Sequence, residues 1–273
     1  MRMRTLALVT ASGAALLTAG TPAPVTLAVA GDPDPALAAP ASAPRPVLPA
    51  MSLALVAPVH RAPARAHRSR PEPAPARDRE GVGAADLLAK ASACEQVSNG
   101  KYRTDEATSP TVPVCGADNA VFWKADLDID CDGQATAACN PSTDPAFHGD
   151  TAFHSSDGRP LNAAKLPYVV VPAPSGVWDY TGSGIQGGGV VAVVHGEKVE
   201  YAVVGDVGPE RIIGEASYAT AKSLGIDPDP GSGGAPSGVT YILFKDSRVS
   251  PIEDHEAAVR TGRALAEEFV RGG

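Results

Sequence analysis

Two carboxylates in the second half of the chain have a spacing that could support acid and base chemistry. In GDVGPERIIGEAS, residues 205–217, Asp206 follows a Val-rich run and Glu215 opens an expected helix. Each has an ordinary structural explanation, since Asp suits a turn between glycines and Glu in a first helical turn complements the helix dipole. If they face each other across a cleft, they could instead cleave a glycosidic bond, which requires two carboxyl groups.

A row of aspartates lies earlier in the chain. The stretch ADLDIDCDG, residues 125–133, carries an acid at every second position, namely Asp126, Asp128, Asp130 and Asp132. Side chains alternate along a β-strand, so these four should share one face. Like charges on one face repel, and the row is therefore predicted to bind a positively charged substrate. A solvated edge strand is the alternative that the residues leave open.

Metal-binding interpretations of these segments are weaker. Asp128 begins D-x-D-x-D-G, the first half of a calcium loop, but its twelfth position is Cys139 instead of Glu. His148, Asp150 and His154 form H-x-D-x-x-x-H without a third histidine. We therefore predict neither a metal nor a cofactor.

The elements that would position the acids are mainly short strands. Apolar or alternating runs predict strands at 121–129, 166–171, 190–194, 199–204 and 239–244, the third and fourth forming a hairpin. Nearly continuous Val and Ala runs are typical of strands buried on both sides or in a small barrel. Residues 84–93 form a short amphipathic segment, and helices are predicted at about 215–224 and 252–270. The pattern predicts a mainly β fold with two or more helices and a small closed β-barrel, in a single catalytic domain.

The four cysteines, Cys94, Cys115, Cys131 and Cys139, indicate disulfides. Three pairings are possible, and we favour Cys94 with Cys115 and Cys131 with Cys139, because nearest-neighbour loops would stabilise a region with few apolar runs. A zinc site is disfavoured because no C-x-x-C pair occurs.

The N-terminal part has a different composition. Residues 1–30 combine a basic start, an apolar run and a small-residue cleavage site, which predicts a signal peptide and an extracellular, secreted protein. Residues 31–83 are rich in Pro, Ala and Arg and are predicted to be a disordered linker or pro-segment. The catalytic domain is assigned to residues 84–273.

The charge of the C-terminal part excludes one class of partner. Residues 83–273 hold 14 Lys and Arg (23 less 9) and 26 acids (31 less 5), a net charge of −12. Such a domain is a poor partner for nucleic acid and a good one for a cationic ligand. We expect no stable membrane insertion, because the apolar run near the N-terminus is shorter than a bilayer span.

Three blocks resemble the chitosanases of glycoside hydrolase family 75: ADLDIDCDG, FHSSDGRPLNAAKLPYVVVP and YAVVGDVGPERIIGEASYATAKSLGI. The resemblance runs from about Cys94 to the C-terminus. It implies endo-hydrolysis of the β-1,4 bonds of chitosan, a cationic glucosamine polymer, with inversion and without a cofactor, and its two essential carboxylates match Asp206 and Glu215. The run AVVGD-x-G also resembles double-psi barrels of wall-lytic enzymes. We expect a monomer.

The roles of the two carboxylates follow from their expected surroundings. Glu215 in a first helical turn would stay ionised and act as the base. Asp206 at the end of a buried strand would be desolvated and act as the acid. Two alternatives remain, a non-catalytic polysaccharide-binding or wall-loosening module and a peptidoglycan-lytic enzyme.

Overall fold

The computed structural model describes residues 81–272. The expected signal peptide and residues 31–80 of the expected linker lie outside the described residues. The strands are β1 Glu95–Gln96, β2 Cys115–Gly116, β3 Ala120–Asp130, β4 Tyr168–Pro172, β5 Val190–His195, β6 Lys198–Gly208, β7 Glu215–Ser217 and β8 Ala235–Phe244. The helices are α1 Ala84–Lys90, α2 Tyr218–Leu224 and α3 His255–Arg271. Across residues 81–272, no helix combines the length and apolar character that a membrane crossing needs.

Six of the strands close into a barrel. Around it the order is β3, β7, β4, β6, β5 and β8, and β8 pairs back with β3. The pairs β3–β7 and β4–β6 are parallel, while β5–β6, β5–β8 and β3–β8 are antiparallel. This closure confirms the predicted mainly β fold with a small barrel. The double-psi subtype stays a prediction.

The barrel interior is filled by an apolar cluster to which all six strands contribute. From β3 it takes the odd-numbered positions, including Trp123, whose ring stacks on Tyr241 of β8 with centroids 5.5 Å apart. A second cluster lies on the outer face, where α3 packs and Phe269 meets Phe244 of β8. The even-numbered positions of β3 therefore point away from the interior, as alternation along a strand requires.

The second helix begins later than predicted. Residues Glu215–Ser217 form the short strand β7, and α2 begins at Tyr218. The Ser217 side chain accepts a hydrogen bond from the Thr220 N–H, which is the usual N-cap arrangement and fixes the first turn after residue 217. The prediction that Glu215 opens the helix is therefore wrong. Helix α2 ends at Leu224 and is capped by Gly225, whose positive φ of 73° is the conformation that glycine commonly adopts at a helix C-terminus.

Both expected disulfides are present. Cys94 is bonded to Cys115, and Cys131 to Cys139, so the predicted pairing is confirmed. The first bridge joins the segment after α1 to β2, and the second closes a loop directly after β3. Because all four sulfurs are in disulfides, they are not available as zinc ligands.

Reduction of these bridges should destabilise the domain. Each lost bridge should lower the free energy of unfolding by about 2 to 5 kcal/mol, since the unfolded chain regains freedom. Urea unfolding of the protein with and without reductant measures this change, and the double variants Cys94→Ala/Cys115→Ala and Cys131→Ala/Cys139→Ala separate the two contributions. Unfolding midpoints that do not move after complete reduction would contradict the expectation.

Candidate active site

A β-bulge in β6 orients Asp206. Between β4 and β6, Val169 pairs with Val204 and Val170 pairs with Asp206, so Gly205 is an extra residue on β6. Val204 belongs to the interior cluster, and without the extra residue Asp206 would face the interior as well. The bulge turns Asp206 to the outer face of the barrel, beside Val170.

Glu215 reaches the same place from the other side of β4. Its neighbour Ala216 belongs to the interior cluster and pairs with Val169 of β4 in antiparallel orientation. Glu215 therefore points outward and lies opposite Val170. Asp206 and Glu215 thus flank Val170 on strands that are two positions apart in the sheet, which separates their backbones by about 10 Å.

The two acids line one cleft with a volume of about 440 Å³. Its other polar lining residues are Asp130, Asp132, Asp144 and His148. Five carboxyl groups therefore face a single space on the outer surface of the barrel. Such a concentration of negative charge favours a cationic ligand.

The row of aspartates does not behave as a uniform exposed surface. Asp130 and Asp132 line the cleft, whereas Asp126 and Asp128 lie earlier on β3 and are not part of its lining. Asp126 is buried, with 8 % of its surface exposed, and within residues 81–272 its Oδ1 has no hydrogen-bond partner. Asp128 is exposed and pairs in register with Glu215 of β7. Substrate binding by the row stays a prediction, strongest for its last two members.

Asp206 is buried, but two backbone N–H groups donate hydrogen bonds to its carboxylate. Its Oδ1 accepts hydrogen bonds from the Ala152 N–H and the Val207 N–H, each at 2.7 Å. Burial raises the pKa of Asp206 above its ordinary value, while these two donors favour the carboxylate and lower it. The result is a carboxyl group held in a fixed orientation by donors that prefer its charged form.

Glu215 has a different environment. Burial raises the pKa of Glu215 to about 7, and the negative charges of Asp128, Asp132 and Asp206 act in the same direction. The stabilising helix dipole that the sequence suggested is absent, because Glu215 lies in β7 before the start of α2. The helix-dipole argument for an ionised Glu215 is therefore wrong, and its raised pKa favours the protonated form at mildly acidic pH.

Three of the acids could jointly hold a cation. Carboxylate oxygens of Asp130, Asp132 and Asp206 lie within 4.8 Å of one another. The Asp130 carboxylate accepts from the Asp132 N–H, and Asp132 accepts from the His148 N–H, each at 2.7 Å. Burial raises the pKa of Asp130 well above its ordinary value and also raises that of Asp132. A metal ion or a protonated amine would meet the same three groups here.

The histidine interpretation is not supported. His154 Nε2 lies 2.7 Å from Asp150 Oδ1, whereas His148 faces the acidic cleft. Within the described residues, these three side chains do not form a metal-binding group. The calcium interpretation also loses its last ligand position, because Cys139 is bonded to Cys131.

Sequence reasoning considered the loop that follows Cys139 only for metal binding and missed its part in the acidic cleft. Residues 144–152 supply Asp144 and His148 to the cleft lining and the Ala152 N–H to Asp206. The contribution of Ala152 is a backbone N–H, which nearly every residue carries, so its residue type gave no indication of the role.

Comparisons with known proteins agree with the geometry. The family described as fungal chitosanase of glycosyl hydrolase group 75 matches residues 127–269. An endo-chitosanase of Aspergillus oryzae is 32% identical over 138 residues, which cover 46% of this chain and 56% of the relative. Endo-chitosanase B of the same species is 33% identical over 163 residues, covering 54% and 67%.

A third relative is the endo-chitosanase of Aspergillus fumigatus, which is 29% identical over 173 residues, covering 58% of this chain and 73% of the relative. The chain spans little more than half the length of the first relative. The segment that matches the family includes Asp128, Asp130, Asp132, Asp206 and Glu215 and begins just after Asp126.

Proposed function

The chain belongs to the fungal chitosanases of glycosyl hydrolase group 75, and from this membership we infer that it is an endo-chitosanase acting on the β-1,4 bonds of chitosan. The observation that carries the proposal is the pair Asp206 and Glu215, which flanks Val170 in a cleft lined by further acids. Two carboxyl groups on opposite sides of one space are what glycoside hydrolysis requires.

Glu215 acts as the general acid and Asp206 as the general base. Glu215 gives its proton to the glycosidic oxygen as the bond from C1 to that oxygen breaks. A water molecule adds to C1 from the opposite face and loses its proton to Asp206. The raised pKa of Glu215, about 7, supports the acid, and the two N–H donors on Asp206 Oδ1 support the base while leaving Oδ2 for the water. The order is the reverse of the one expected from the sequence.

We propose that hydrolysis proceeds with inversion, and the placement of the two acids on strands two positions apart supports this. Inverting enzymes place their carboxyl groups about 6.5 to 9.5 Å apart to admit the water, against about 5 to 5.5 Å in retaining enzymes. Strands two positions apart have backbones separated by about 10 Å, which favours the wider arrangement. The product should therefore have the α configuration.

The remaining acids of the cleft recognise the charge of the substrate. Protonated glucosamine amines would contact Asp130 and Asp132, whose oxygens lie close to Asp206. This recognition separates chitosan from chitin, whose acetylated amines carry no charge. Neither a metal nor another cofactor takes part in these steps.

Removing one of these charges should weaken binding more than catalysis. Asp132→Asn keeps an oxygen that can accept from the His148 N–H but loses the charge. We expect KM for chitosan to rise roughly two- to fivefold with little change in kcat, since a solvent-accessible charge pair contributes about 0 to 1 kcal/mol.

The salt dependence and a matched variant provide two controls for this prediction. Wild type and Asp132→Asn should converge at about 1 M salt, where the Debye length is about 3 Å. Asp118→Asn makes the same charge change at an exposed position outside the cleft and should leave KM unaltered. A fall in kcat at constant KM would assign Asp132 to the reaction itself.

We further propose that the protein acts outside the cell. Two disulfides support an oxidising compartment, and residues 1–30 supply the signal for export. Residues 31–83 would then be the tether or pro-segment of a catalytic domain at 84–273. The enzyme would work as a monomer.

The test of the function is a comparison of three polymers. The protein is incubated with chitosan, with fully acetylated chitin and with peptidoglycan, and new reducing ends and viscosity are followed. We expect a rapid fall in viscosity with chitosan, as internal bonds break, and little reaction with the other two. Binding of chitosan without new reducing ends would favour the non-catalytic module, and release from peptidoglycan alone would favour the wall-lytic enzyme.

A further inference from the structure

Thr151 has a buried hydroxyl group that joins two parts of the loop beside the cleft. Only 5 % of the residue is exposed. The hydroxyl donates to the Phe153 carbonyl oxygen at 2.7 Å and accepts from the Leu161 N–H at 2.9 Å. Both hydrogen-bonding functions are therefore used within the protein.

These bonds connect the loop to a fixed part of the structure. Leu161 is 1 % exposed and belongs to the outer apolar cluster. Its carbonyl oxygen accepts from the Gln134 N–H at 2.8 Å, two residues after Asp132. The Thr151 hydroxyl thus holds the turn at residues 151–153 against the segment that follows the aspartate row.

The residue that follows Thr151 contacts the candidate base directly. The Ala152 N–H lies 2.7 Å from Asp206 Oδ1, between two residues whose backbone positions depend on the Thr151 hydroxyl. A backbone N–H cannot be aimed by its own side chain, so its direction depends on what fixes the turn. In this loop the buried hydroxyl supplies that constraint.

We propose that Thr151 is a positioning residue for the general base: its hydroxyl fixes the turn that directs the Ala152 N–H at Asp206 Oδ1 and leaves Oδ2 facing the attacking water. The proposal rests on the proposed function, since it assigns the base to Asp206. Thr151 itself touches neither the substrate nor the water.

The charges around Asp206 do not depend on this hydroxyl. Titratable groups from four parts of the structure face or influence Asp206: β3 and the residues just after it, β4, β7 and the loop. They are Asp130, Asp132, Tyr168, Glu215, Asp144, His148 and Asp150. Replacing Thr151 changes none of these charges. A change in the ionisation of Asp206 would therefore report the loss of the directed N–H.

The experiment compares Thr151→Val with Thr151→Ser. Val keeps the shape and removes the hydroxyl, whereas Ser keeps the hydroxyl and removes the methyl group. Loss of an N–H donor disfavours the carboxylate and raises the pKa of Asp206. The acid limb of kcat/KM should therefore move to higher pH by about one unit in Thr151→Val, because the energy of a hydrogen bond to a charged group corresponds to about one pKa unit. Thr151→Ser should keep the wild-type limb.

A second readout is independent of activity. The side-chain carboxyl carbon of Asp206 is titrated by NMR in wild type, Thr151→Val and Thr151→Ser, with Asp206→Asn to assign the signal. Its midpoint should move upward in Thr151→Val alone. If wild type does not hydrolyse chitosan, the proposed function fails, and this titration still tests whether Thr151 controls Asp206.

Two results would overturn the proposal. One is a wild-type acid limb and a wild-type titration in folded Thr151→Val. The other is an equal displacement in Thr151→Ser, which would assign the effect to packing of the methyl group. Thr151→Ala, which also lacks the hydroxyl, replaces Thr151→Val if that variant does not fold, and thermal unfolding of each variant verifies the fold.

Discussion

Asp206→Asn and Glu215→Gln should each reduce chitosan hydrolysis by about 10² to 10⁴-fold, because each removes one partner of the acid and base pair. Both changes keep the size and hydrogen-bonding shape of the side chain, and chitosan binding should persist. Initial rates of reducing-end release at saturating substrate measure the loss. More than a tenth of wild-type activity in either variant would contradict the assignment.

A reactive substrate separates the two roles. A glucosamine oligomer with a phenolate leaving group needs little help from an acid, so Glu215→Gln should recover much of its rate on that substrate. Asp206→Asn should not recover, because water activation is still missing. Recovery of Asp206→Asn alone would restore the order that the sequence suggested. Asp118→Asn and Glu95→Gln, at exposed positions outside the cleft, serve as matched controls.

Two buried acids, Glu215 and Asp126, should make the stability of the protein fall as the pH rises. Burial raises the pKa of Glu215 to about 7 and also that of Asp126 to about 7. Below the unfolded values near 4, both states hold these protons. Between about pH 4 and pH 7 the unfolded chain releases them while the folded protein keeps them, so the stability contributed by each group decreases by up to about 1.4 kcal/mol per pH unit.

Glu215→Gln should therefore be more stable than wild type at pH 8 and nearly equal to it at pH 4. Asp126→Asn should flatten the pH dependence in the same direction, because the buried charge is no longer formed. Urea unfolding at pH 4, 6 and 8 measures both effects, with Glu95→Gln as the exposed control. Equal pH dependence in wild type and both variants would contradict the burial of these charges.

The combined result for Glu215 is informative. A variant that loses activity and gains stability at pH 8 identifies a group kept for chemistry at the expense of the fold. Replacing a residue with a purely structural role would instead lower the stability of the protein. Activity and stability measured on Glu215→Gln thus distinguish a catalytic role of Glu215 from a structural one.

Much of the barrel could be predicted from local sequence. The Val-rich runs of β4, β5 and β6 are apolar on both sides, and such runs indicate buried strands before any partner is known. The alternating aspartates correctly predicted that the even-numbered positions of β3 point away from the interior, which the odd-numbered positions fill. The disulfide pairing was also predictable, since each bridge joins neighbouring cysteines.

Other features depend on partners that are distant in sequence. β7 has three residues, which is too short to show the alternating pattern of a strand. The sequence around it therefore resembles the start of a helix. Because of that error, the sequence assigned the base to Glu215 and the acid to Asp206, the opposite of the order proposed here. The bulge at Gly205 exists only through the register between β4 and β6, and the burial of Asp126 depends on how the barrel closes. Neither property belongs to one segment alone.

The most direct test of the central claim is an NMR time course with the glucosamine hexamer. Proton spectra recorded within the first minutes, before the products mutarotate, report the anomer formed at the new reducing end. We predict cleavage into shorter oligomers that appear first as the α anomer, and no change in the fully acetylated hexamer. Products that appear first as the β anomer would contradict inversion by Asp206 and Glu215, and an uncleaved glucosamine hexamer would contradict the proposed function itself.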